Sequence, residues 1–123
     1  MKKLAFAIAV LAAIILFGGF ENVSAQSGSM VWRGTVDDTV QVIIRGRKAT
    51  TNTLSGSETY DDRANFNGRL PRERAQVWVN KTSGRGRVYV VQQPNRRNNW
   101  TAIIQIVDNK GGSDRYSFTL SWE

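Results

Sequence analysis

In Arg115-Tyr116-Ser117-Phe118-Thr119-Leu120-Ser121-Trp122-Glu123, large apolar and small polar side chains alternate without a break. Successive side chains of a strand point to opposite faces. Tyr116, Phe118, Leu120 and Trp122 therefore share one face, and Ser117, Thr119 and Ser121 the other. The segment predicts a half-buried strand whose outer face carries no charge. Residues 100–108 (WTAIIQIVD) are apolar on both sides, with Trp100, Ala102, Ile104 and Ile106 in phase and Ile103 and Val107 opposite. Such a strand belongs in the middle of a sheet. Residues 109–114 between the two are rich in Gly, Asn and Asp and are expected to close a hairpin.

The same alternation extends upstream. Residues 30–36 and 39–45 read as strands around an Asp37-Asp38 turn, with Val40, Val42 and Ile44 toward the core. Residues 75–81 and 85–92 flank Thr82-Ser83-Gly84 as a further hairpin. Residues 49–54 have the Thr content of an edge strand. Residues 64–70 predict another strand, and residues 70–74 one helical turn. Pro71 and Pro94 fall between strands, where a missing amide proton does no harm. Helical periodicity is otherwise nearly absent. Seven or eight short strands with regular turns predict an all-β fold, a single small antiparallel β-sandwich, with a small β-barrel as the rival architecture.

The N-terminus has a different grammar. Lys2 and Lys3 precede an uncharged apolar run over residues 4–17, then Gly18-Gly19 and the small residues of Val23-Ser24-Ala25. That order is the three-part pattern of a secretory signal. The run also stops short of the roughly 20 apolar residues a spanning helix needs. Residues 1–25 are expected to be a cleavable signal peptide, 26–29 a flexible N-terminal segment and 30–123 a single β-sandwich domain. The protein is expected to be exported by a bacterial cell, into the periplasm or beyond, with no transmembrane span after cleavage. Because the chain has no Cys, the fold must hold without disulfides and no lipid can be attached to a cysteine.

The absence of His and Cys also removes the commonest general base, the usual transition-metal ligands and thiol or Ser–His nucleophiles. Paired carboxylates remain as a route to hydrolysis, but Asp37 and Asp38 are adjacent and point apart on extended backbone. Glu58, Asp61 and Asp62 lack the spacing of a calcium loop. No enzyme activity, metal or cofactor is expected.

Charge points elsewhere. Losing Lys2, Lys3 and Glu21 with the leader changes a formal net charge of +7 to +6. Arg supplies all the remaining cations except Lys48, Lys81 and Lys110, and Arg is the better bidentate partner for carboxylate, phosphate and sulfate. The cations fall into local groups: Arg45, Arg47 and Lys48; Arg69, Arg72 and Arg74; Arg85 and Arg87; Arg96 and Arg97. Residues 92–99 combine Arg with amide side chains and run directly into Trp100. Trp78 shares its face with Gln76 and Asn80 and is the best candidate for an exposed aromatic. The candidate ligand-binding residues are Arg96, Arg97, Asn98, Asn99, Trp78, Arg85 and Arg87. The expected function is a non-enzymatic exported binding module that takes an anionic or carbohydrate ligand of the envelope or extracellular space through its Arg-rich loops, with an anionic polysaccharide or other envelope polymer as the expected partner. The alternative is an assembly protein that pairs strands with itself or a protein partner, through the uncharged terminal strand if that strand lies at an edge. Nucleic acid is not the expected partner.

Overall fold

The computed structural model describes residues 27–123; the expected leader, residues 1–25, lies outside the described residues, as does Gln26. The alternating segments form eight strands: β1 (Gly28–Val36), β2 (Thr39–Arg45), β3 (Lys48–Ser55), β4 (Tyr60–Asn67), β5 (Val77–Ser83), β6 (Arg87–Gln92), β7 (Ala102–Val107) and β8 (Asp114–Trp122). They build two four-stranded antiparallel sheets, ordered β4-β1-β8-β5 and β3-β2-β7-β6. The sheets pack face to face as a β-sandwich. The expected inward residues fill the space between them: Val40, Val42 and Ile44 from β2, Ile104 and Ile106 from β7, and Tyr116, Phe118, Leu120 and Trp122 from β8 are all buried.

The structure departs from the expectations in five places. The terminal strand β8 is not at an edge, because it hydrogen-bonds to β1 on one side and β5 on the other. Its lack of charge reflects an interior position in the sheet, not an open one. The turn at Asp37-Asp38, the residues between β5 and β6, and residues 108–113 are not hairpins, since each carries the chain from one sheet to the other. At the first of them, Asp108 N–H donates to Asp38 O at 2.7 Å, so the chain turns toward β7 rather than back onto β1. The hairpins are β2–β3, through Gly46-Arg47, and β6–β7. Gly46, at φ 62°, supplies the positive φ that a two-residue turn with glycine first requires. Residues 70–74 form bends without a helical turn, and β4 begins at Tyr60, before the expected start. Gly28 and Ser29, expected in a flexible segment, are strand residues paired with Trp122 and Ser121.

The topology sorts the loops to two ends. One end carries the 46–47 turn, the 68–76 connection and the 93–101 loop, together with Trp122 at the close of β8. The other carries residues 37–38, 56–59, 84–86 and 108–113.

Candidate functional site

The 93–101 loop is built by its own amides. Asn95 caps a short 3-10 helix, Arg96–Asn98, and Asn98 answers by accepting from Asn95 N–H at 2.9 Å. The Asn98 side chain also accepts from Thr101 N–H at 3.0 Å and donates to Gln93 O at 2.9 Å. Asn98 is thus a scaffold, with little hydrogen-bonding capacity left for a ligand. Asn99 and Trp100 both stand at φ 58°, a left-handed pair that ends the turn. That conformation takes Trp100 out of phase with β7. The indole, expected in the core, is half-buried instead. Gln93 ties the loop to the other sheet by exchanging two 2.8 Å hydrogen bonds with the backbone of Val77. Trp78, the next residue of β5, is 48% exposed and lies on the outer face beside Ser121. The exposed Trp expected from the pattern is therefore present, at the loop's end of the sandwich.

Two further basic groups converge there. Arg45 ends β2, and its Nε donates to Thr101 Oγ1 at 2.9 Å. Thr101 is buried and is itself held by Asn98, so a chain of hydrogen bonds runs from Asn98 to the Arg45 guanidinium. Leu70 N–H donates to Gly46 O at 2.9 Å, which seats the 68–76 connection on the β2–β3 turn. The Arg69 guanidinium packs against Gly46. This end of the molecule thereby gathers Arg45, Arg47 and Lys48, then Arg69, Arg72 and Arg74, then Arg96 and Arg97. Among the described residues, only Glu73 and Glu123 oppose them. The remaining acids lie elsewhere, mostly around the opposite end. There Asp37 accepts from Ser57 N–H at 2.7 Å and Asp38 from the Ser55 hydroxyl at 2.9 Å. Both carboxylates hold a turn and do not face each other across a cleft.

Arg85 and Arg87 do not join the group. Arg87 opens β6 and Arg85 lies in the connection just before it, at the opposite end of the strand from the 93–101 loop, roughly 17 Å away. Arg85 Nε holds Asp108 at 3.0 and 3.2 Å, the one ion pair among the described residues, and its terminal nitrogen donates to the carbonyls of Gly111 and Gly112. The hydrogen bond to Asp108 raises its pKa further above the ordinary arginine value. This side chain is committed to the fold. Arg87 lies over the Tyr89 ring at 5.3 Å, on the outer face of an edge strand. Sequence reasoning placed Arg45, Lys48, Arg69, Arg72 and Arg74 in groups but not in the site. The missing signal was spatial, because residues 45 and 101 meet across 56 positions of sequence.

No group of three or more potential metal ligands occurs among the described residues. No helix among them is long and apolar enough to cross a membrane. Comparison with protein-family models, curated proteins and solved structures finds no match to this chain.

Proposed function

We propose that this protein is an exported, non-enzymatic binding module for an anionic polymer, such as an acidic polysaccharide of the cell envelope or its surroundings. The observation that carries this reading is the convergence of three separate basic groups on one end of the sandwich, opposed among the described residues only by the Glu73 and Glu123 side chains. A basic patch becomes a footprint when its members cluster in space. Arg side chains there find no ion-pair partner among the described residues, so their charge is available to an external anion. Arg96 and Arg97 project from a turn that Asn95 and Asn98 hold rigid, which limits the entropy lost on binding. Assembly by strand pairing no longer has the observation that favoured it, since β8 is interior.

Chromatography of the purified protein on immobilised polygalacturonate tests the proposal. Retention is expected at low ionic strength and is expected to fade toward about 1 M salt, where screening acts within about 3 Å. An Arg96→Ala/Arg97→Ala variant should elute earlier. Passage without delay at low salt, or identical elution of the variant, overturns the proposal.

A further inference from the structure

The outer face of the second sheet holds a depression of about 190 Å³ lined by Ile43, Arg45, Lys48 and Thr50. These are two directly opposed cross-strand pairs beside the 46–47 turn, Arg45 with Lys48 and Ile43 with Thr50. Two like charges placed opposite each other on a sheet destabilise it. No carboxylate among the described residues pairs with either. The outward residues of β3, β2, β7 and β6 include no acid at all. Both side chains are exposed, and an anion seated between them would relieve this repulsion.

The geometry of Arg45 adds direction. Its Nε is engaged by Thr101, whose hydroxyl is fixed by the 93–101 loop. The two terminal nitrogens remain for a bidentate contact with an oxyanion. Size and lining add the rest. The volume falls below the ~300 Å³ at which pockets for drug-sized ligands begin. Ile43 provides an aliphatic floor and Thr50 a hydroxyl rim, the mixed lining that one face of a pyranose ring requires. Along the same face runs a row of hydrogen-bonded side chains, Gln41 to Gln105 at 3.0 Å and Gln105 to the Tyr89 hydroxyl at 2.9 Å. This row offers polar contacts to the neighbouring units of a chain.

We propose that the depression between Arg45 and Lys48 is a subsite for a single anionic sugar residue, a uronate or a sulphated hexose, with Arg45 as the bidentate ligand of its charged group. The proposal rests on the anionic-polymer reading above and names the unit that is read.

Titration of the isotopically labelled protein with sodium glucuronate, glucose 6-sulfate, glucose and acetate, at matched ionic strength, tests it by NMR. Glucuronate or glucose 6-sulfate is expected to shift the amide signals of residues 43, 45, 48 and 50, and glucose and acetate are not. An Arg45→Lys variant keeps the charge but loses the fork. It should bind the active sugar about tenfold more weakly, the loss of one charge-assisted hydrogen bond. Equal affinity of Arg45→Lys and the parent protein, or equal shifts by acetate, overturns the subsite even where polygalacturonate is still retained. Tighter binding of an oligonucleotide than of polygalacturonate at these residues overturns the sugar assignment. Absence of retention on any polyanion removes both the subsite and the module reading.

Discussion

Trp32 and Gly34 stand two positions apart on the same face of β1, and their pairing decides one corner of the core. A Cβ on Gly34 would lie 2.6 Å from the Trp32 ring. Glycine there leaves the room into which the indole folds. Trp32 is consequently buried, stacked on Phe118 with ring centroids 5.6 Å apart and planes at 16°, and its Nε1 donates to Thr51 Oγ1 at 3.3 Å. Alternation by itself does not tell which side of β1 Trp32 takes, because Gly34, in phase with it, declares no preference for either face. Phe118 itself is fully buried, whereas Thr119 faces outward and is only half-buried. Truncating a buried Phe to Ala costs roughly 3–5 kcal/mol, while a surface change stays within about 0.5 kcal/mol. Urea titration of Phe118→Ala should therefore show a much lower midpoint, and Thr119→Ala nearly the parent value. Equal midpoints contradict the register of β8.

At the scale of elements, the Gly84-Arg85-Gly86 corner shows why a turn that looks like a hairpin crosses between sheets. A Cβ on either glycine would collide with Tyr116, and one on Gly86 also with the Val107 carbonyl. Gly86 N–H donates to the Tyr116 hydroxyl at 2.7 Å, and Arg85 between the glycines clamps Asp108 and the 111–112 carbonyls. The corner is thus built around an aromatic ring from β8 and a loop that follows β7. Burial, more than any other cause, raises the pKa of Tyr116 above its ordinary value of 10.0. A raised folded-state pKa means that the unfolded chain loses this proton first as pH rises. The corresponding stability is complete below about pH 10 and is lost as pH climbs through the folded value. Urea midpoints should fall more steeply above about pH 10 for the parent than for Tyr116→Phe, which keeps the other two tyrosines. Parallel pH profiles contradict the burial of this hydroxyl.

Across the whole molecule, the four edge strands share one feature. Each pairing of an edge strand with its inner neighbour contains a register shift, at Arg33/Thr35, Thr39/Val40, Lys81/Ser83 and Val90/Gln92. The two central pairings, β1–β8 and β2–β7, have none. Bulges at edges twist the open backbone away from further pairing. Lys48, Arg63, Lys81 and Arg87 add charge to the same strands. Sedimentation at high micromolar concentration should accordingly give a monomer. A stable dimer at moderate salt would mean that an edge accepts a strand despite its bulge, and would restore assembly by strand pairing. The charge is as unevenly arranged as the edges are uniform, with the basic end and most of the acids separated along the strands. The polyanion proposed above would be steered toward the 46–47, 68–76 and 93–101 loops before any contact forms.

What the sequence by itself determined was everything carried by a period of two. The inward faces of β2, β7 and β8, the interior place of β7 and the exposed Trp78 follow from alternation, because neighbouring side chains on a strand must point apart, whereas the bounds of β1, β4 and β5 and the side of Trp100 do not. The glycine-rich 109–114 segment was likewise readable as a turn, and Gly111 and Gly112 do take positive φ. The tertiary structure alone decided which sheet each strand joins. A turn records that the chain reverses, not whether its next strand pairs with the last or crosses the core. The site was divided in the same way. Arg-rich groups are visible along the chain, but whether an Arg is spent or available depends on a partner far away in sequence. Arg85 meets Asp108 across 23 positions and is consumed by the fold. Arg45 meets Thr101 across 56 and is held there through Nε alone, with no carboxylate partner among the described residues. Contacts of that span arise only when two sheets close on one another.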